Sequence, residues 1–171
     1  MLGCAAMNTQ GVSGAVYQML DHGISTGGLF LIVGMLSDRR HTRLIAEYGG
    51  LKKVTPHLVA AFLLVTLASI GLPGMNGFVG EFLILLGAFR WDPRLAAFAA
   101  TGVILSAAYM LGMFQRVNYG PGTNEKNATL PDLRPREWRV IVPIIAVVSL
   151  MGVVPTRVRA PCERGIESMP N

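Results

Sequence analysis

The sequence predicts an all-α fold, a polytopic transmembrane helix bundle of about five helical elements, with a break at residues 71–77. Three observations lead there. The chain is 51% hydrophobic and only 15% charged, against about 25% charged in a soluble domain. Its apolar stretches, 11–36, 56–70, 75–89, 95–114 and 140–154, alternate with short polar connectors. Its 20 glycines suit helices in lipid, where close backbone approach replaces the missing hydrophobic drive.

The formal net charge is +5. The basic residues stand in connectors beside apolar runs, which marks topology and headgroup contact. No basic stripe is interleaved with aromatics, so no nucleic-acid partner is expected. Cys4 and Cys162 lie at opposite ends, offer neither a CxxC nor metal-ligand spacing, and are expected to be free thiols. The first residues lack the basic region and A-x-A site of a signal peptide, so insertion is expected to rest on the spans themselves. No GxSxG, P-loop, GxGxxG or HExxH pattern occurs. The chain itself is therefore expected to hold no catalytic residue, no metal site, no nucleotide site and no redox centre.

The first helix is expected near 11–37, long enough at 1.5 Å per residue to cross a core of about 30 Å. Gln18, His22 and Ser25 follow i, i+4, i+7 spacing and share one face. Gly23 and Gly27 form a small-xxx-small pair suited to a neighbouring helix. Residues 38–54 are polar and basic, a surface connector whose Gly49-Gly50 turn and Thr/Tyr/Ile content allow a short hairpin. Helices near 56–71 and 75–89 follow, separated by Gly71-Leu72-Pro73-Gly74. Each is at the low edge of the roughly 17–25 residues a straight span needs. Two short helices joined at a Gly/Pro break point to a transport site, because non-helical backbone survives at membrane depth only when buried in protein or lining a wet cavity.

Residues 90–94 form an interfacial turn with Trp91 at headgroup level. The next helix, near 95–115, carries Gly102, Ser106, Tyr109 and Met113 on one face, expected towards other helices. A polar loop over 118–135 leads to Trp138 and a last helix near 138–155, with Pro143 in its first turn. Asn127-Ala128-Thr129 matches a glycosylation triplet common by chance and is discounted. The tail from Pro155 is expected to fray. The whole chain, 1–171, reads as one transmembrane domain.

Glu81 stands alone among apolar residues just after the break. An acidic group at a bilayer centre costs about 2.5–3.5 kcal/mol on insertion scales, so its presence asks for a reason. A carboxylate reaching the headgroups, or one in a structural ion pair, is the plain alternative to proton transfer. The nearest charge in sequence, Arg90, is nine positions away, so a partner is expected from another helix or chain. His22 is a core histidine on the plain reading and a relay on the sharper one, since imidazole titrates near neutrality and Gln18 and Ser25 flank it. Asp21 adds a second charge beside His22, and a position near the interface is one explanation. His41 and His57 read as surface residues.

Several motifs then come in order: Gln18-Met19-x-x-His22-Gly23, the R-x-x-T-R of 39–43, the YGGL of 48–51, and Gly71-Leu72-Pro73-Gly74-x-x-x-Phe78-Val79-Gly80-Glu81-Phe82. Together they make the chain resemble the C-terminal part of the antiporter-like subunit M family (chain 4 type) of proton-pumping NADH:quinone oxidoreductase, respiratory complex I. The resemblance covers most of 10–120. It implies that Glu81 is the carboxylate of the family's broken helix near the channel outlet, and that His22 is the histidine of the preceding inward-facing helix. Gln18 and Ser25 would be its supporting polar face. It further implies proton translocation coupled to electron transfer, with NADH, FMN, iron–sulfur clusters and quinone held by other subunits. The implied partners are the other membrane subunits and the lipid bilayer, and the implied place is the cell (inner) membrane, crossed several times. A subunit of a cation/proton antiporter or membrane-bound hydrogenase, and an inactive or structural fragment, are the alternatives.

Family members have about fourteen spans, and their front half carries a glutamate–lysine pair and a central lysine. No lysine occurs here before Lys52, or between Lys53 and Lys126. Asp21 also departs from the small or neutral residue expected there. A C-terminal fragment, unable to insert stably alone, is therefore expected. With each helical element counted as one crossing, the side holding 38–54, 90–94 and the tail carries ten of the fifteen Lys/Arg. The positive-inside rule puts that side in the cytoplasm, whereas the resemblance puts the corresponding loop and terminus outside. The family's orientation is preferred, since upstream spans would set it.

Overall fold

The structure is a computed structural model that describes residues 1–122 and 124–156. Its helices are α1 (Leu2–Ala5), α2 (Thr9–Arg40), α3 (Leu51–Val54), α4 (Pro56–Ser69), α5 (Asn76–Trp91), α6 (Pro93–Tyr119) and α7 (Pro135–Val153), with 3-10 turns at Ile45–Glu47 and Glu125–Asn127. No strand occurs among the described residues. α2 and α6 are long and apolar enough to cross a membrane. The hairpin that 38–54 would allow does not form. Its turn residues instead serve a 3-10 turn and α3, and Leu51 is fully buried rather than on a surface.

Each helix end has a local cause. Asn8 caps α2, its side-chain oxygen accepting from the Gly11 N–H at 2.8 Å, and so the helix starts at Thr9. The same side chain donates to the Gly87 carbonyl at 2.8 Å, tying the start of α2 to the end of α5. With 32 residues, α2 is about 48 Å long. Asp92 ends α5 and caps α6, accepting from the Arg94 N–H ahead of Pro93 at the first helical position. α7 begins at Pro135, where Glu137 accepts from the Arg134 N–H. Pro143 consequently lies inside α7 rather than in its first turn.

α4 ends in a Schellman arrangement. Gly71, at φ +73, donates its N–H to the Ala68 carbonyl, and Leu72 donates to Leu67. These two bonds satisfy carbonyls that the last turn would leave open. Gly71 supplies the left-handed conformation that an ordinary residue resists. Pro73 and Gly74, at φ +93, then turn the chain into α5.

The apolar core lies between the second half of α2, α3, α4, the end of α6 and the start of α7. Ile32, Leu36, Leu58, Phe62, Val65, Phe114 and Ile141 fill it, with the Phe62 and Phe114 rings edge-on at 5.3 Å. Polar ties close this end. Arg39 bonds Glu137 at 2.6 Å and the Asp132 carbonyl at 3.2 Å. Asn124 and Asn127 both donate to the Glu47 carbonyl. The Asp132 carboxylate accepts from the His57 and Leu58 N–H groups at the head of α4 and from the His57 ring at 2.8 Å. It is an N-terminal cap supplied from a distant loop. Burial alone would raise the Asp132 carboxyl, but hydrogen bonds from His57, Leu133 and Leu58 outweigh it and hold it below its usual range.

These ties correct the topology. The connector 38–54 and the loop before α7 lie at one end of the bundle, because α4, the break and α5 together run once along α2. The GLPG break is not a side-to-side loop. α6 also differs from expectation. Tyr109 is exposed and Gly102 faces open space, whereas Ala96, Phe114, Val117 and Asn118 are its buried residues.

In the full-length protein, Gly14→Ala is expected to destabilise by about 1–3 kcal/mol through overpacking, since its Cβ would stand 2.7 Å from the Leu83 Cβ. Gly23→Ala, with nothing within 4 Å among the described residues, is expected to be neutral or to stabilise by up to about 1 kcal/mol. Thermal unfolding in detergent compares them. Asp132→Ala should cost about 1 kcal/mol at neutral pH. Because the Asp132 carboxyl is held low, its contribution is complete above the ordinary value of 3.8. It is lost as pH falls through the lower folded-state value. The two melting temperatures should therefore converge in strong acid.

Candidate functional site

The site is built on a seam of glycines between α2 and α5. Gly11 lies against Gly87, Gly14 against Leu83 and Ile84, Gln18 against Gly80, and Asp21 against Gly77. Residues three or four apart on one helix thus meet residues three or four apart on the other, in antiparallel order. A Cβ at Gly87 would come within 2.6 Å of the Gly11 nitrogen, so the two backbones touch. Farther along, Gly28 meets Val65 of α4. The broken helix therefore lies along α2 with its break beyond Asp21.

This contact decides which polar groups reach the break. Asp21 is 1% exposed, with Oδ2 3.4 Å from the Cβ position of Gly77, in the first turn of α5. That turn carries no side-chain cap, so its free N–H groups present the positive end of the helix dipole. Gln18 Oε1 abuts Gly80. Glu81, half-buried, folds its carboxylate back against Gly71, where the Schellman turn leaves no side chain in the way. Asp21 and Glu81 interact electrostatically. Asp21 Oδ1, Gln18 Oε1 and both side-chain polar atoms of Asn76 are buried without a hydrogen-bond partner among the described residues. From the other side, Gly152 of α7 packs on Gly74 and Met75, and Tyr17 of α2 donates to the Met151 carbonyl at 2.7 Å.

Of the residues singled out in the sequence, Glu81, Gln18 and Ser25 share the inner side of the bundle, with Ser25 2% exposed. His22 does not. One residue is about 100° around a helix, which turns His22 outward while Asp21 points in. The His22 ring is exposed and meets Thr26 Oγ1 at 3.3 Å. The Gln18-His22-Ser25 stripe is thus split, and the inner stripe reads Gln18, Asp21, Ser25. Gly23 and Gly27 likewise face open space rather than a helix. Asp21, left out of the Gln18-His22-Ser25 stripe, is buried against α5. The signal that could have placed it is the glycine spacing: Gly11 and Gly14 lie on its side of α2, and Gly77, Gly80 and Gly87 form the matching set on α5. Cys4 is a free, exposed thiol; Cys162 lies outside the described residues.

Comparison with known proteins bears on this geometry. The family described as NADH:quinone oxidoreductase/Mrp antiporter, transmembrane, matches residues 1–106. The chain is 48% identical over 157 residues to NADH-quinone oxidoreductase subunit M of Rhodobacter capsulatus, covering 92% of this chain and 31% of that one. Against the subunit M of Mycobacterium tuberculosis it is 46% identical over 153 residues, covering 90% and 28%. The chain thus spans about a third of the length of these relatives. Among solved structures, respiratory complex I from Thermus thermophilus with bound NADH superposes with a TM-score of 0.87 at 40% identity, over 96% of this chain and 35% of that one. The Mrp complex from Dietzia sp. DQ12-45-1b superposes at 0.75 with 20% identity, over 92% of this chain and 37% of that one, a likeness of fold.

Gly71 and Gly74 offer a paired test of the break. Both hold positive φ, so alanine at either should cost about 1 kcal/mol or more in backbone strain. Only at Gly71 does the added Cβ meet the Glu81 carboxylate; at Gly74 it meets nothing within 4 Å. Gly71→Ala is therefore expected to change the rate at which Glu81 reacts with a hydrophobic carbodiimide. Gly74→Ala should lower the melting temperature while leaving that rate unchanged.

Proposed function

The chain belongs to the NADH:quinone oxidoreductase/Mrp antiporter transmembrane family, and on that premise we propose that it forms part of a proton-translocating membrane subunit of NADH:quinone oxidoreductase. One observation carries the reading. An acidic side chain on a transmembrane helix is folded back onto the break of that helix, beside an uncapped helix start and buried polar groups. Carboxylates kept at membrane depth mark ion and proton routes, and discontinuous helices place such groups between two half-helix ends. Glu81 is the group that takes up and releases the proton, with Gln18 and Ser25 on the inner face of α2 extending the route. His22 serves the route on the outward face of α2, not the pocket of Glu81.

Further parts of the reading follow from the fold. The protein is a membrane protein, and we infer that it crosses the cell (inner) membrane several times. The end that holds 38–54 and the loop before α7 carries five Lys/Arg in 38–54 and five in 115–139, of the fifteen in the chain. The positive-inside rule assigns that end to the cytoplasm. With the broken helix taken as one crossing, the last helix then heads outward, so the terminus agrees with the resemblance while the connector 38–54 stays on the opposite side from it. Electron transfer from NADH to quinone, with FMN and iron–sulfur clusters, is assigned to partner subunits. The membrane subunits beside this one and the lipid cover the exposed apolar faces, such as that of α6.

A cation/proton antiporter subunit is the second reading, favoured by the likeness of fold to the Mrp complex. The identities of 40% and 48% to complex I proteins put it second. In the full-length protein within its assembled complex, Glu81→Gln is expected to lower protons pumped per electron while NADH oxidation and assembly persist. Measured in vesicles with a pH-sensitive dye, pumping at the wild-type ratio would remove the relay role and leave a structural one.

A further inference from the structure

We propose that Asp21 is a second proton-carrying group of the broken-helix site, holding one proton in common with Glu81. The inference rests on the proton-translocating reading and extends it to a residue outside the motifs that carry the resemblance. Four features point there. Asp21 is almost wholly buried, and its Oδ1 has no hydrogen-bond partner among the described residues. Its Oδ2 lies against Gly77, one helical turn from Glu81 on α5. The two carboxyls interact electrostatically. Gln18 Oε1 and both polar atoms of Asn76 are buried and unpartnered beside them, and buried polar groups are as a rule hydrogen-bonded.

A purely structural Asp21 would look different. As a cap for α5 it would accept an N–H from the first turn, and it accepts none. As half of an ion pair it would face a cation. Among the described residues, the charged groups on the packed elements are elsewhere. Arg90 on α5 is nine residues past Glu81, about 13 Å along the helix. Arg39 on α2 and Glu137 on α7 pair at the far end. His57 on α4 is held by Asp132, and His22 points outward. Tyr17 donates to the Met151 carbonyl. Of the described titratable groups, Glu81 is the one that interacts electrostatically with Asp21. Two carboxyls sharing a buried site titrate as a pair. In the transfer step the O–H bond of one carboxylic acid breaks, the proton moves directly or along water, and an O–H bond forms on the other carboxylate. Net charge is unchanged, so the proton shifts between α5 and α2 without exposing a second buried charge. Gln18 and Asn76 supply a carbonyl oxygen and an amide to hold the transferring group in line.

The experiment is an infrared titration of carboxyl absorption in the assembled complex in vesicles, for wild type, Asp21→Asn, Asp21→Glu, Glu81→Gln and the double variant Asp21→Asn with Glu81→Gln. Asp21→Asn is expected to remove one carboxyl signal and shift the midpoint of the Glu81 signal by about one pH unit or more. Asp21→Glu should restore the coupled titration, and the double variant should pump no worse than Glu81→Gln alone. An unmoved Glu81 midpoint in Asp21→Asn overturns the proposal. So does a midpoint that shifts when sodium replaces choline in the titration buffer, which would make the pair a cation site. If Asp21→Asn fails to assemble, Asp21→Ser is read in its place. The two readings fail separately. Normal pumping in Glu81→Gln with a coupled titration sinks the translocation role, and lost pumping with an uncoupled titration sinks the shared proton.

Discussion

The structure depends on the direct backbone contact between α2 and α5. In lipid, helices gain little from burying apolar side chains against each other, and close packing has to supply the association. Gly11, Gly14, Gly80 and Gly87 remove the side chains that would hold the helices apart. The consequence reaches beyond stability. A helix pair locked at four levels has one register, and that register sets Gln18 beside Gly80 and Asp21 beside Gly77. Shifted by one residue, His22 would replace Asp21 at the break.

The break itself is two half-helices, each closed in a different way. α4 satisfies its own carbonyls with a Schellman turn through Gly71, so its end is neutralised from within. α5 starts without a side-chain cap, so its positive end is left to whatever negative group approaches. The Asp21 carboxyl of α2 lies against that first turn, while the Glu81 carboxyl folds back on Gly71 at the end of α4. The small residues that shape the turn keep this room: a side chain on Gly71 would occupy the place of the Glu81 carboxylate, and one on Gly77 would collide with the Ala68 carbonyl beside Asp21.

Much of this was legible in the sequence and some was not, for reasons that can be named. Apolar runs, the Pro and Gly punctuation and the motif order gave the helices, the break and Glu81, because these are local signals. The face of α2 was misread. Polar spacing at 18, 22 and 25 spans a wide arc, and polarity alone does not tell which edge of that arc is inside. Glycines at 11 and 14 decide it, yet a glycine reads as packing only when its counterpart on another helix is known, and Gly23 and Gly27 offered the same pattern on a face that meets nothing. The direction of the chain through the break was hidden similarly. A Gly/Pro break looks the same in sequence whether the chain turns back or continues in its direction. Contacts such as Asp132 with His57, 75 residues apart, are tertiary and leave no local trace.

The two ends of the bundle are held in different ways, and this bears on how it could work. At the connector end, apolar packing and ion pairs fix side chains that have little reason to change. At the break, the polar groups of Asp21, Asn76 and Gln18 make no hydrogen bonds within the described chain, and the surroundings are positioned by backbone against backbone. A proton moving among carboxyls alters charge and hydrogen bonding at every step. If the helices were placed by those same side chains, each step would strain the packing. Glycine contacts do not respond to protonation, so under the proposed function the scaffold would stay in register while the groups it presents change state. The seam between α2 and α5 therefore keeps geometry and chemistry independent where a proton route needs both.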